Sequence, residues 1–255
     1  MKKTAIQAAK LAGDYLAQNF AKIRRSQISV KSASQVVSRA DTDAEKIILK
    51  TIRRKFPDHS IYSEEIGHIK KKSDYQWVID PLDGSTNFLM QNPFFATSIA
   101  LLHKGRVILG VANAPLMNHF YLAEKNKGAY RNGKKIRVSN KKKLSESFLT
   151  FCHGNSVKDI KRSIKVYQTF KLLCADMRQL GSGILECGMV AFGSTEDIMT
   201  PGANLYDVAA GALMVEEAGG RVTDFQGDKW SVKSKDIVCS NSHIHNQLIK
   251  HLKKI

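Results

Sequence analysis

The stretch WVIDPLDGSTNF, residues 77–88, joins an apolar run to two carboxylates, a proline and a glycine. The apolar run at 77–79 predicts a buried strand. Proline has no amide hydrogen to donate to a sheet, so Pro81 predicts that the strand ends at Asp80. We therefore expect Asp80 and Asp83 to converge beyond the strand end.

The residues after Asp83 predict a loop that binds an anion. Gly84 lets the backbone approach a ligand closely. Ser85, Thr86 and Asn87 are favoured at the start of a helix or turn, where free N–H groups attract anions. Two carboxylates about 4 Å apart repel by roughly 4 kcal/mol at a surface-like dielectric, so the pair needs a proton, a lysine or a cation.

Further acids stand in similar settings. Glu64 and Glu65 end the strand-like run IYSEE, and Asp207 follows Pro201 and Gly202 near a predicted helix start. Each of them alone is explained as a cap or as an exposed acidic pair. Together with the Gly-Ser-Thr loop, these oxygen donors favour a magnesium site for phosphate chemistry, because no histidine or cysteine is conveniently placed.

Length and composition are those of a globular protein. With 255 residues and 43% hydrophobic content, the chain can form one domain, 1–255, with two closely packed halves at about 1–145 and 146–255. The interrupted apolar N-terminal segment favours an amphipathic helix of a cytoplasmic protein over a signal peptide. No run of about 18 apolar residues is present, so we expect no membrane span. The four cysteines lack zinc or disulfide spacing.

The net charge is +17, and the lysines occur in scattered short runs. Such a charge is compatible with binding a polyanion such as RNA. Scattered runs with few interleaved aromatic residues are also typical of an ordinary solvated surface. In either case a positive field attracts phosphorylated substrates.

Hydrophobic periodicity predicts alternating helices and strands. Residues 41–56 predict a helix in which Thr42 and Glu45 form a capping box. Residues from 94 to about 138 alternate as in a hairpin sheet. His243 and His245 lie in a polar stretch that we expect on the surface. Four further helices are predicted, at 159–173, 184–193, within 201–220 and at 243–255.

The segment GAYRNGKK, residues 128–135, imitates a phosphate-binding P-loop. Lys135 replaces the Ser or Thr that such a loop needs to hold magnesium. The pair Asn132 and Gly133 instead predicts a tight hairpin turn. The segment is therefore interpreted as a turn.

Three motifs together carry a family resemblance: SEEIG at 63–67, DPLDGSTNF at 80–88 and YDVAAGALMVEEAGG at 206–220. They resemble the inositol monophosphatase family of magnesium-dependent, lithium-sensitive sugar-phosphate phosphatases. The likeness covers nearly the whole chain, from the V-S-x-x-D-x-x-x-E stretch at 37–45 onward. It implies an α+β fold with mixed α/β elements, a layered α-β-α-β-α sandwich of the sugar phosphatase type that is usually a homodimer.

The resemblance also implies two or three Mg²⁺ ions as cofactor and a metal-activated water as nucleophile. The implied metal ligands are Glu64, Asp80, the backbone carbonyl of Leu82, Asp83 and Asp207. The residues implied to orient or deprotonate the water are Asp41, Ser85 and Glu64. The implied substrate contacts are Asp83, Gly84, Ser85, Thr86, Arg178 and Asp207, with the Gly181–Ser182 region nearby. Glu65 is implied to stabilise the metal ligands without binding the metal ion itself.

Four positions depart from the family pattern. Ser85 replaces a threonine but keeps the hydroxyl, Tyr206 replaces a tryptophan, and Glu186 stands where Asp or Asn is usual. Thr200 stands where inositol-preferring members carry a glutamate that touches sugar hydroxyls. The expected activity is thus hydrolysis of inositol monophosphate or of a related small sugar phosphate.

Two alternatives stay open. The same site would serve a 3′-phosphonucleotide or NADP, although DGSTNF looks less like the nucleotidase pattern. Some bacterial relatives associate with RNA or RNA polymerase, so the chain is alternatively a binding protein with weak phosphatase activity.

Overall fold

Helices and strands alternate along the chain, of which the computed structural model describes residues 1–20, 22, 29–32, 35–37 and 39–255. Short 3₁₀ turns lie at Pro115–Met117 and Leu144–Glu146. The α-helices within the described residues are α1 (Lys2–Asn19), α2 (Arg39–Arg53), α3 (Ser85–Leu89), α4 (Val157–Lys171), α5 (Gly183–Phe192), α6 (Leu205–Glu217) and α7 (His245–Leu252).

The larger sheet has eight strands and is antiparallel except at one pair. Its strands are β3 (Ser60–Ser63), β4 (Gly67–Ile69), β5 (Tyr75–Asp83), β6 (Ala96–His103), β7 (Arg106–Ala114), β8 (His119–Glu124), β9 (Gly128–Arg131) and β10 (Lys134–Lys135). Their order is β10-β9-β8-β7-β6-β5-β3-β4, and β3 runs parallel to β5. Asn132 and Gly133 form the β9–β10 turn with positive φ angles of 51° and 77°, which confirms the predicted hairpin.

Two smaller sets of strands complete the β structure. A hairpin of β1 (Ser29–Ser32) and β2 (Gln35–Val37) precedes α2. The second sheet has the order β12-β11-β13-β15-β14. Its strands are β11 (Phe148–Phe151), β12 (Asp176–Arg178), β13 (Asp197–Thr200), β14 (Arg221–Thr223) and β15 (Ile237–Ser240).

Three hydrophobic clusters stack these elements into layers. Trp77 and Ile79 on β5 pack with the apolar faces of α1 and α2. Val78, which points to the opposite side of the strand, packs with α5 and α6 between the two sheets. The far face of the second sheet packs against α4 and α7. The predicted α-β-α-β-α sandwich is confirmed, while its division near residue 145 stays a prediction.

The prediction that β5 ends at Asp80 is wrong. Pairing with β6 passes from Asp80 opposite Ser98 to Asp83 opposite Ala96, so three steps on β5 face two on β6. This bulge takes Pro81 out of the hydrogen-bond ladder. Residues three apart on a regular strand point to opposite faces, and the extra residue brings Asp80 and Asp83 to the same side.

The predicted capping box in α2 is also wrong. The helix extends over Arg39–Arg53, and the Thr42 hydroxyl donates to the Arg39 carbonyl at 3.1 Å inside the first turn. Glu45 binds a different part of the chain, described below. Ser38 of the family-like stretch lies outside the described residues.

The surface location expected for His245 is wrong, whereas His243 is exposed. The His245 ring is fully buried, with its two nitrogens 2.9 Å from the Thr223 hydroxyl and 2.7 Å from the Ser240 hydroxyl. Across the described residues, no helix combines the length and apolarity needed to cross a lipid bilayer.

Candidate active site

A cavity of about 360 Å³ opens where the bulge of β5 meets the first turns of α3, α5 and α6. Most residues named from the sequence line it together. They are Glu64, Asp80, Leu82, Asp83, Gly84, Ser85, Thr86 and Asp207. The fold therefore gathers acids from distant parts of the sequence around one space.

Gly84 shapes the floor of this cavity. It caps α3 with φ +89°, a left-handed conformation that favours glycine. A Cβ added there would lie 3.0 Å from the Phe94 carbonyl oxygen and 3.2 Å from that of Gly181. The turn thus places the Ser85 end of a short helix, whose first amides have no partners within the helix, against the cavity.

Asp83 is held by the start of α5. Its carboxylate accepts hydrogen bonds from the Ser182 hydroxyl and from the amides of Gly183 at 3.1 Å and Ile184 at 3.0 Å. Burial raises the pKa of Asp83 to about 6, and these three donors oppose that rise. The three hydrogen bonds therefore hold the side chain in one position, although burial makes its negative charge unfavourable.

Asp207 is held by the start of α6. Its carboxylate accepts from the amide of Asn204 at 3.2 Å and from the Asn204 side chain at 3.1 Å. The Asp207 amide in turn donates to the Asn204 side chain, which completes a capping box at this helix. Asp80 accepts from the Leu82 amide at 3.0 Å within the bulge. Each carboxylate therefore has its own local anchor.

Neighbouring acids raise the pKa values of Asp80 and Asp207. Burial, above all, raises the pKa of Asp80 well above its ordinary range. The charges that add to this rise are, in decreasing order, those of Glu64, Asp83, Asp207 and Asp41. Burial and the charges of Glu64 and Asp83 likewise raise the pKa of Asp207 well above its ordinary range. These effects are the electrostatic repulsion between acids that share a low-dielectric site.

The donor set fits a hard divalent cation. The described residues around the cavity supply carboxylate, carbonyl and hydroxyl oxygens and include no lysine or arginine. Within the described ranges, no three His, Cys, Asp or Glu side chains form a group that could hold a metal ion as they stand. A cation at this site would have to draw the separately anchored carboxylates together.

Three residues named from the sequence do not line the cavity. Asp41 is buried on α2, and its charge contributes to the raised pKa of Asp80. The Glu65 amide donates to Glu45 at 3.2 Å. The Arg178 guanidinium is largely exposed and binds Asp176 at 3.0 Å.

The far wall of the cavity contains residues that sequence reasoning missed. They are Cys152, His153, Asn155, Gln179 and Asn204. Glu186 lies behind this wall, where it accepts from the Cys152 thiol at 3.1 Å and from the Gly181 amide at 3.0 Å. Burial raises the pKa of Glu186 to about 7. The departures at Glu186 and Thr200 and the implied approach of the Gly181–Ser182 region signalled this wall in the sequence.

Comparison with known proteins identifies the family of this chain. Residues 1–255 match the model of the inositol monophosphatase family. The chain belongs to the inositol monophosphatase family. It is therefore a phosphoric monoester hydrolase of a family that is generally metal-dependent.

Inositol monophosphatase relatives match over nearly their whole length. The "Nus factor SuhB" of Pasteurella multocida is 36% identical over 99% of this chain and 95% of that protein. The "Inositol-1-monophosphatase" of Mesorhizobium japonicum is 33% identical over 98% of this chain and 94% of that protein. The solved IMPase of Thermotoga maritima superimposes with a TM-score of 0.90 and 33% identity, covering 100% of this chain and 98% of that one.

Proposed function

We propose that this protein hydrolyses the phosphate monoester of a small neutral polyol, such as inositol monophosphate, with Mg²⁺ as cofactor. The observation that carries the proposal is the cluster of acids whose charges raise the pKa values of Asp80 and Asp207, around a cavity whose described lining has no lysine or arginine. Such a cluster is stabilised when a cation binds. The adjoining Gly84 turn supplies amides for the phosphoryl group.

The ligands we assign are Glu64, Asp80, the Leu82 carbonyl, Asp83 and Asp207. Bound Mg²⁺, in two or three copies, would neutralise the phosphoryl oxygens and lower the pKa of a water molecule. The Mg²⁺ identity rests on the oxygen-only set of assigned ligands, and the number of ions rests on the family resemblance.

The chain's own groups orient the reactants. The amides of Gly84 and Ser85, together with Thr86, hold the phosphoryl oxygens. The Ser85 hydroxyl and the Glu64 carboxylate orient the attacking water, and Asp41 helps to take up its proton. Positioning of this kind is the main contribution of a protein to phosphoryl transfer.

The far wall favours a neutral leaving group. Asn155 and Gln179 contribute amide side chains to this wall, and the buried Thr200 hydroxyl has no hydrogen-bond partner among the described residues. That hydroxyl is suited to a substrate hydroxyl. Apart from the His153 imidazole, the described lining includes no aromatic ring to stack on a base, and it has no lysine or arginine to bind a second phosphate, which disfavours 3′-phosphonucleotides and NADP.

A second candidate function is association with RNA or RNA polymerase. It is favoured by relatives named "Nus factor SuhB" and by the net charge of +17. In this case the phosphatase activity would be weak. The homodimer, the lithium sensitivity and the cytoplasmic location likewise stay predictions.

The test is phosphate release by wild type and by Asp83→Asn, with and without Mg²⁺. The panel comprises inositol monophosphates, glycerol phosphates, adenosine 3′,5′-bisphosphate and NADP. We expect Mg²⁺-dependent turnover that is fastest on the neutral polyol phosphates and is lost in the variant. A higher kcat/KM on adenosine bisphosphate would overturn the substrate class. An inert wild type that binds RNA in a salt-sensitive way would favour the second function.

A further inference from the structure

One buried carboxylate beside the site has no part in the proposed chemistry. Glu45 on α2 is 2% exposed. A single oxygen, Oε1, accepts three hydrogen bonds: from the Ser63 hydroxyl and from the amides of Glu65 and Ile66, both at 3.2 Å. All three donors flank Glu64, so Glu45 ties down the turn that carries this proposed ligand.

The opposite side of that turn is tied to β5. The Glu64 amide donates to the Ile79 carbonyl at 3.2 Å, and Ser63 is the parallel partner of Ile79. Ile79 directly precedes Asp80. The backbone of Glu64 is thus fixed against the strand that carries Asp80 on one side and against Glu45 on the other.

The helix that bears Glu45 also carries Asp41, whose charge raises the pKa of Asp80. Asp41 lies one turn before Glu45, on the same helix face, and both side chains are 2% exposed. Moving α2 would therefore shift the Glu64 turn and Asp41 together.

We propose that Glu45 is a positioning residue, whose carboxylate fixes Glu64 through the 63–66 turn and thereby sets the affinity of the site for its metal ion. The proposal rests on the proposed function only in taking Glu64 as a ligand. Hydrogen bonds to an ionised acceptor are roughly twice as strong as neutral ones, so the charge of Glu45 matters as well as its shape. Loss of a group that orients a metal ligand typically weakens metal binding about 10–100-fold.

The test measures Mn²⁺ binding to the full-length, metal-free protein by electron paramagnetic resonance, without substrate. Glu45→Gln keeps an oxygen acceptor but removes the charge, Glu45→Ala removes both, and Ser63→Ala removes one donor. Glu196→Gln is the matched control. Glu196 is also 2% exposed and accepts a backbone amide, that of Phe148 at 2.7 Å, on the second sheet away from the cavity.

We expect Mn²⁺ affinity to fall about tenfold in Glu45→Gln and about a hundredfold in Glu45→Ala. Ser63→Ala should lower the Mn²⁺ affinity by a smaller factor, so the proposal can still be tested if Glu45→Ala does not fold. Glu196→Gln should bind Mn²⁺ like wild type. In Glu45→Gln the Mg²⁺ activation constant should rise while KM for the phosphate ester stays within about twofold, a split that general destabilisation does not produce.

Glu64→Gln distinguishes failure of the positioning role from failure of the proposed function. If it loses Mn²⁺ binding while Glu45→Gln and Ser63→Ala bind normally, the positioning role is overturned and the proposed function stands. If Glu64→Gln itself binds Mn²⁺ like wild type, the assignment of Glu64 as a ligand fails, and the role of Glu45 fails with it.

Discussion

Replacing Asp83 by asparagine separates the charge of the cluster from its shape. Asn keeps an oxygen that can accept from Ser182 and Ile184, but its NH₂ group then faces the Gly183 amide. This mismatch costs about 1–3 kcal/mol at any pH. The charge effect depends on pH and has the opposite sign.

That effect follows from the pKa of Asp83, about 6 in the folded protein against an ordinary 3.8. A raised folded pKa contributes stability that is fully present below the unfolded pKa and is lost as pH rises through the folded one. The total is about 3 kcal/mol, of which about 2 kcal/mol is lost between about pH 4.5 and about pH 7.5. The variant lacks this titration, so its stability relative to wild type should rise by about 2 kcal/mol over that interval.

The assay is urea unfolding of both proteins in EDTA at the two pH values, together with phosphate release at saturating Mg²⁺. Asp83→Asn should lower kcat by about 10²–10³, the loss typical of a removed transition-state stabiliser. Asp224→Asn is the control, because Asp224 accepts two amide hydrogen bonds at 2.9 Å in a surface turn outside the cavity. A pH-independent stability difference would refute the electrostatic reasoning, and turnover within a few-fold of wild type would refute the ligand role.

Three further predictions test other parts of the structure. Burial lowers the pKa of His245 to about 4 from an ordinary 6.5. About 3 kcal/mol of stability that is present above pH 6.5 should therefore be lost as pH falls through 4. In urea unfolding, His245→Gln should show a weaker dependence of the unfolding free energy on pH than wild type, and an unchanged dependence would contradict this. Gly84 has φ +89°, so Gly84→Ala should lower the unfolding free energy in urea by about 1–2 kcal/mol. It should also raise KM for the phosphate ester in initial-rate measurements. An unchanged KM would show that this turn does not bind the phosphate. Ser182→Ala removes a buried donor to Asp83 and should raise the Mg²⁺ activation constant about tenfold, whereas an unchanged activation curve would show that this hydroxyl is dispensable.

Local signals in the sequence predicted most elements correctly. The helices near Glu186 and Asp207 follow from their apolar spacing and flanking glycines, and the β9–β10 turn follows from Asn132 and Gly133. The layered order of these elements came from the family resemblance. Hydrophobic periodicity shows which face of a helix or strand is apolar, but not which other element packs against that face.

The failures occurred where a residue's partner is distant in the chain. Glu45 fits a local capping pattern, but its partners are at 63–66. His245 sits among polar neighbours, yet Thr223 and Ser240 satisfy its ring inside the protein. The bulge after Asp80 likewise depends on pairing with β6, and the residues next to Asp80 in the sequence do not indicate that pairing.

The most direct test of the account is anomalous diffraction from crystals of this protein soaked in Mn²⁺. We predict anomalous peaks inside the cavity, with carboxylate oxygens of Glu64, Asp80, Asp83 and Asp207 at ligating distance. Peaks found only elsewhere, with these four carboxylates still held apart at saturating Mn²⁺, would contradict the claim that they form one metal site.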